Sequence, residues 1–179
     1  MKRNSSFLSY IFVLLIFSNN IYSNNPISGA FGIQLGEYFN PESAIGTGSL
    51  TDGTIMYQFQ SEKPFRSFSR YYVLITPKTN KVYSIWGIGD MDSDGKCGKE
   101  QDLLMAILTK KYRESDNQGA MDSFMDIEKI DIGNKRIVTK CSGYSDVTID
   151  IRYYDDELQI IAEEERIELE SEKLDSSGL

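Results

Sequence analysis

The chain has 179 residues, a length that suits one ordinary domain. It carries 27 acidic side chains against 19 basic ones, and this excess argues against nucleic acids and anionic membranes, which bind to positive protein surfaces. It contains no histidine, which excludes the Ser-His-Asp and Cys-His catalytic arrangements and zinc sites built on imidazole.

The first 23 residues have the layout of a secretory signal peptide. Lys2 and Arg3 precede an apolar run at 7–17, and a polar stretch then ends in the small residue Ser23. We therefore predict a signal peptide at 1–23, cleavage near Ser23, and a single mature domain at 24–179 that is periplasmic or secreted. The apolar run is shorter than the roughly 20 residues of an ordinary membrane anchor, so we expect no anchor after cleavage. Loss of Lys2 and Arg3 takes the formal charge from −8 to −10.

Alternating apolar residues predict four strands in the first half of the mature chain. They lie at 31–36, 54–60, 70–76 and 81–88. The last two flank a turn at 77–80 and so predict a hairpin, whose second strand places Trp86 in the core. Asn40, followed by a proline and a glutamate, predicts the cap of a short helix between the first two strands.

The second half begins with a helical pattern at 99–113, where an apolar stripe is formed by Leu103, Leu104, Ile107, Leu108 and Tyr112. Three strands at 125–130, 136–141 and 147–153 are predicted next, and then a helix from Asp155 or Asp156 to about Lys173. Three strands followed by a helix thus occur twice, although the residues show no repeat. Together these elements predict an α+β domain in which two main helices cover one face of an antiparallel sheet.

Cys97 and Cys141 are the only cysteines. Because exported proteins fold in an oxidising compartment, we predict that these residues form one disulfide. The bond would join the start of the first long helix to a strand, and the chain-entropy model gives it roughly 4 kcal/mol for a loop of this length. Two buried free thiols are the alternative.

The sharpest motif contains carboxylates at Asp90, Asp92 and Asp94, followed by a glycine. This spacing matches the start of a calcium loop, in which Lys96 would offer its carbonyl. The twelfth position is Gln101 instead of a bidentate glutamate, so the hypothesis is a weak Ca²⁺ site. The other interpretation is a solvated acidic turn whose charges suit the start of a helix. Beyond this possible Ca²⁺, we predict no cofactor.

One stretch interleaves aromatic and arginine side chains, and its central members are Arg66, Phe68, Arg70 and Tyr71. Tyrosine and arginine are enriched at interface hot spots, so these residues form a candidate recognition patch. The alternative is the entrance of a strand whose aromatic side chains pack inward.

The abundant carboxylates allow two further hypotheses. A run of glutamates at 163–172 is typical of a solvated helix face, and its alternative is a contact surface for a basic partner. Two carboxylates that face each other can hydrolyse glycosides without histidine. No pair in the sequence is singled out for that role.

Several stretches of the mature chain belong together as one pattern. They are residues 31–36, 71–79 and 82–83, then Cys97, Glu100, Leu104, Leu108, Lys111 and Tyr112, and finally Cys141, residues 151–155 and Leu158. With them the chain resembles a family of small exported bacterial proteins of unknown function. The resemblance implies a periplasmic location and paired cysteines as a shared feature. It supplies no catalytic residue, and the acidic motif at 90–95 is not part of it.

The leading hypothesis from the sequence is a soluble, non-enzymatic binding module whose partner is a protein of the cell envelope. A weak calcium-binding module that uses Asp90, Asp92 and Asp94 is the first alternative. A carboxylate-based hydrolase of envelope sugars is the second.

Overall fold

The computed structural model describes residues 26–112 and 127–176. The predicted signal peptide at 1–23 and the first two residues of the strand predicted at 125–130 lie outside these ranges. The described strands are β1 (Gly29–Ala30), β2 (Ile33–Gln34), β3 (Gly46–Ser49), β4 (Ile55–Gln58), β5 (Arg70–Ile75), β6 (Val82–Met91), β7 (Ile127–Ile132), β8 (Lys135–Ser142) and β9 (Val147–Asp155). The described helices are a 3₁₀ helix (Pro41–Ser43), α1 (Asp94–Tyr112) and α2 (Asp156–Ser176). The predicted α+β class is confirmed.

Seven of these strands form one antiparallel sheet in the order β3-β4-β5-β6-β9-β8-β7. β1 and β2 form a separate small hairpin. The predicted order of three strands and a helix occurs twice, and the third strands of the two sets, β6 and β9, pair at the centre of the sheet.

The two helices lie on opposite faces of the sheet, so the prediction that helices cover one face is wrong. Neighbouring residues of a strand point to opposite faces, and Val73 and Leu74 of β5 are 0% and 3% exposed. Val73 packs in the cluster that contains α1 residues, whereas Leu74 packs in the cluster that contains Ala162 of α2. The central strands therefore bury side chains on both faces. If a two-fold axis between antiparallel β6 and β9 related the two sets of three strands and a helix, both helices would lie on one face of the sheet. They lie on opposite faces, so the two sets are not related by symmetry.

The α1 face is closed by more than its helix. The N-terminal segment buries Ile27, Leu35 and Phe39 against this face. The loop between β4 and β5 approaches β6 so closely that a Cβ atom on Gly89 would lie 1.7 Å from the carbonyl oxygen of Ser67. Glycine is therefore required at position 89 for the loop to seal this side of the sheet.

The predicted disulfide is confirmed. Cys97 of α1 and Cys141 of β8 are bonded, with their Cα atoms 6.0 Å apart. One turn further along α1, the side-chain amide of Gln101 donates a hydrogen bond to the carbonyl oxygen of Thr139 at 3.2 Å. A covalent bond and a buried hydrogen bond therefore attach α1 to β8.

Most element positions follow the sequence pattern, and the caps do so in detail. Asn40 Oδ1 accepts a hydrogen bond from the Glu42 backbone at 3.1 Å, and Asp155 Oδ1 accepts one from the Leu158 backbone at 3.2 Å. The short helix and the start of α2 are thus confirmed. Trp86 is 6% exposed, as a core residue should be.

Three local predictions are wrong. The strand predicted at 31–36 is interrupted, because Phe31 and Gly32 adopt positive φ angles of 58° and 95° and turn the chain between β1 and β2. β3 was not predicted, since its glycines indicate a loop in the sequence. The buried stripe of α1 is narrower than its apolar pattern, with Leu103 and Ile107 39% and 45% exposed.

Candidate binding surface

α2 crosses only one end of its sheet face. In the turn between β5 and β6, the Lys78 backbone donates to a Glu165 carboxylate oxygen at 2.6 Å. In the turn between β3 and β4, Asp52 lies 3.7 Å from Arg166. The other end of this face has no helix above it in the part of the chain that the structure describes. We call that end the open face.

The open face combines aromatic, apolar and charged side chains. The cross-strand register forms two rows, which are Tyr72, Trp86, Arg152 and Val138 in one and Arg70, Ile88, Asp150 and Lys140 in the other. The strands of this whole sheet face, including the part next to α2, carry five basic and three acidic side chains. They are Arg70, Lys129, Arg136, Lys140, Arg152, Asp90, Asp131 and Asp150. This is a local positive excess on a chain of net negative charge.

Trp86, Asp150 and Arg152 form the centre of the open face. The guanidinium carbon of Arg152 lies 4.0 Å from the centre of the Trp86 ring, within cation–π distance. Arg152 Nη2 donates to Asp150 Oδ2 at 2.7 Å. Trp86 Nε1 donates to the Ser84 hydroxyl at 2.7 Å, and that hydroxyl donates to the Tyr153 carbonyl at 2.9 Å. The indole is thereby fixed in orientation beneath the guanidinium.

Burial and pairing act in opposite directions on Arg152. Desolvation disfavours its charged form, but the hydrogen bond and the charge of Asp150 outweigh this effect and raise the pKa of Arg152. Asp150 is only 5% exposed, and its Oδ1 atom makes no hydrogen bond within the described residues. The same is true of Arg152 Nε. Both atoms are buried, so the centre keeps one acceptor and one donor that have no hydrogen bond within the described residues and are not open to an incoming group.

The rim of the open face is held by weaker ion pairs. Arg70 lies 2.5 Å from Asp90, with the two side chains 42% and 70% exposed. Lys129 lies 2.9 Å from Asp131 in a similarly exposed pair. Exposed pairs of this kind contribute at most about 1 kcal/mol. Their charges can therefore exchange partners when another molecule arrives.

The four residues of the predicted recognition patch do not form one surface. Phe68 and Tyr71 are each 6% exposed in the core of the α1 face, where the Tyr71 hydroxyl donates to the Phe68 carbonyl at 3.0 Å. Arg66 is exposed and lies 3.6 Å from Glu100, whereas Arg70 is on the open face. The alternative, a strand entrance with inward aromatic side chains, describes Phe68 and Tyr71.

Two carboxylates of the calcium motif, Asp90 and Asp92, pair with different cations. Asp90 belongs to β6 and pairs with Arg70. Asp92 accepts a hydrogen bond from Lys96, which lowers the pKa of Asp92. Asp94 is the first residue of α1. Residues 26–112 and 127–176 contain no group of three acidic, cysteine or histidine side chains placed to hold a metal ion. Calcium binding by this segment remains a prediction.

A groove of about 310 Å³ separates α2 from the β3–β4 hairpin. Its lining includes Asp52, Tyr83, Arg166 and Glu170. The backbone N–H of Thr54 donates to Asp52 at 2.9 Å and is the largest cause of a lowered pKa at Asp52. A general acid for glycoside hydrolysis needs a raised pKa, so Asp52 is unsuited to that role.

Sequence reasoning missed the centre of the open face. Its signal was present in β9, where Asp150 and Arg152 alternate with the buried residues Ile149 and Ile151. Charged side chains on the second face of such a strand indicate that this face is not closed like the first.

Comparisons with known proteins leave the interpretation to geometry. No family model, curated protein or solved structure matches this chain. Neither described α-helix is long and apolar enough to cross a bilayer.

Proposed function

We propose that the protein is a non-enzymatic binding module, periplasmic or secreted, that holds a protein of the cell envelope on its open face. The observation that carries this proposal is the array centred on Arg152, which lies over the buried Trp86 ring at the middle of the sheet. The opposite face of the sheet is covered by α1, the N-terminal segment and the β4–β5 loop. Aromatic and arginine side chains in partly desolvated positions are the usual anchors of protein interfaces.

The pattern of charge favours a protein partner over a nucleic acid. Each arginine of the array has a carboxylate beside it, at 2.5 Å for Arg70 and 2.7 Å for Arg152. A surface of alternating sign complements another mixed surface and fixes its register. Phosphate backbones, by contrast, are bound by positive strips. The net negative charge of the chain also argues for a protein.

Site-specific photo-cross-linking in the producing cells tests the proposal. A photoreactive amino acid is placed at Val138 or Thr148, which are half-buried positions on the open face. The matched control places it at Ile107, an exposed apolar position on α1. We expect one envelope protein to be cross-linked from both open-face positions and not from Ile107.

An Arg152→Gln substitution provides the second arm of the test. It should reduce the cross-linked product at least tenfold while the protein is exported to the same level, because it removes the cation over Trp86. The same adducts from Ile107, or an undiminished product with Arg152→Gln, would contradict the proposal. Export is checked separately by sequencing the mature N-terminus, which we expect near Asn24.

A further inference from the structure

α2 carries an apolar stripe on the side that faces away from the sheet. Leu158, Ala162 and Leu169 form the inner side of α2, in contact with the sheet or the groove. At 3.6 residues per turn the opposite side is occupied by residues spaced by seven. These are Ile160, Ile167 and Leu174, which are 61%, 58% and 56% exposed. We call them the outer stripe. It runs for about 21 Å, given a rise of about 1.5 Å per residue.

Acidic side chains flank the outer stripe along both edges. Helical spacing places Glu163 and Glu170 on one edge and Glu157 and Glu164 on the other. The basic residues of α2, Arg166 and Lys173, both line the groove on the inner side. Arg166 lies 2.7 Å from Glu163, and Glu170 also lines the groove, so the charge of that edge is partly balanced. The outer half of α2 is therefore an apolar seam between two rows of glutamates, and the row with Glu157 and Glu164 has no ion pair in the part of the chain that the structure describes.

The glutamates of the run predicted as a solvated face fall into two groups in the structure. One group attaches α2 to the β5–β6 turn: Glu165 accepts from the Lys78 backbone, while Glu168 and Glu172 lie 2.9 and 3.1 Å from the Lys78 ammonium. Intramolecular contacts with this turn explain those three residues. They do not explain the acids along the outer stripe.

Charge decides which partner fits this seam. A second copy of α2 would place acidic rows against acidic rows in either orientation, which opposes self-association. Helices that lie on anionic membranes carry lysine and arginine on their polar face, and this helix has the opposite charge. Apolar residues at a seven-residue spacing occupy one of the two apolar positions of a heptad, so they offer a partner helix a narrow seam with charged flanks.

We infer that the outer stripe of α2 docks a basic amphipathic helix of a partner protein. Apolar side chains of that helix would pack between Ile160 and Ile167, and its flanking lysine or arginine side chains would pair with the glutamates. This surface is distinct from the open face. Binding at the outer stripe can therefore be tested independently of the function proposed for the open face.

The test uses the mature, disulfide-bonded protein and a synthetic helical peptide about as long as the stripe. The peptide carries leucine at the a and d positions and lysine at the e and g positions, and a second peptide has glutamate in place of each lysine. Calorimetric titration should show binding of the lysine peptide alone. Its affinity should fall as salt rises from about 0.05 to about 0.3 M, because the flanking charges become screened.

Three double variants make the result specific. Ile160→Gln with Ile167→Gln should weaken binding of the lysine peptide at least tenfold. The matched control, Leu103→Gln with Ile107→Gln on α1, should leave binding unchanged, since those residues are exposed to a similar degree on another helix. Glu164→Lys with Glu170→Lys should reverse the preference and favour the glutamate peptide.

Four results of the titrations and of sedimentation would overturn the inference. They are no binding of the lysine peptide, equal binding of both peptides, undiminished binding by Ile160→Gln with Ile167→Gln, and a wild-type dimer in sedimentation that this variant abolishes. Circular dichroism of each variant verifies that α2 is intact. Binding of the protein to anionic vesicles through Ile160 and Ile167 would likewise contradict it.

Discussion

The α1 face and the α2 face of one sheet are closed in different ways. The α1 face is covered by a helix, the N-terminal segment and the β4–β5 loop, and a disulfide attaches its helix to β8. The α2 face is covered at one end by a helix held through hydrogen bonds and ion pairs to hairpin turns. We therefore expect the α1 face to contribute most of the stability of the domain, and we propose the open face for binding.

Loss of the disulfide should have the largest effect, because it acts on the closed face. We expect Cys97→Ser with Cys141→Ser to lower the free energy of unfolding by roughly 4 kcal/mol, as the chain-entropy model gives for this loop. Urea unfolding of the variant and of the oxidised and reduced wild type measures the loss. An unfolding midpoint equal to that of the oxidised wild type would show that α1 is held by packing alone.

Two isoleucines of β6 compare the faces directly. Ile85 is 0% exposed on the α1 face, whereas Ile88 is half-buried on the open face. Ile85→Ala should lower the free energy of unfolding by about 2–5 kcal/mol, the usual cost of a cavity in a closed core. Ile88→Ala should cost about 1 kcal/mol or less, since part of its surface already contacts water. Equal losses in chemical denaturation would mean that the open face is as well packed as the closed one.

Alkaline pH should act on the end of the sheet that α2 covers. Burial raises the pKa of Tyr83 from 10.0 to about 12. The folded-state pKa is the higher one, so the stabilisation is fully present below pH 10 and is lost as pH rises from about 10 to 12. The loss from Tyr83 should approach about 1.4 kcal/mol per pH unit within that window.

Tyr83→Phe is the matched variant for this pH dependence. It should reduce the slope of unfolding free energy against pH above 10 without abolishing it, because burial also raises the pKa of Tyr153 on the α1 face. Urea unfolding at pH 8, about 10 and about 11 supplies the slope. If the variant and the wild type lose stability equally, the Tyr83 phenol is ionised in the folded protein as readily as in water.

Much of the fold followed from local chemistry in the sequence. The caps at Asn40 and Asp155 need only a side-chain oxygen and the first turn of a helix. The hairpin of β5 and β6 depends on a turn between two stretches of strand-forming residues. The disulfide was predicted from two cysteines and a predicted export signal. The β3 strand was missed, because its glycines acquire strand geometry only by pairing with β4.

The sequence by itself determined the α+β class, the order of the elements and the covalent pairing, since these depend on periodicity, capping and composition. The tertiary structure alone decided that the helices take opposite faces. A continuous apolar run such as residues 71–75 shows that both faces of a strand are buried, but not which element covers each face. The tertiary structure also decided where the helix α2 stops covering its face of the sheet. It brought Trp86 of β6 beside Asp150 and Arg152 of β9, which are strands far apart in the chain. Local patterns carry no information on such long-range packing.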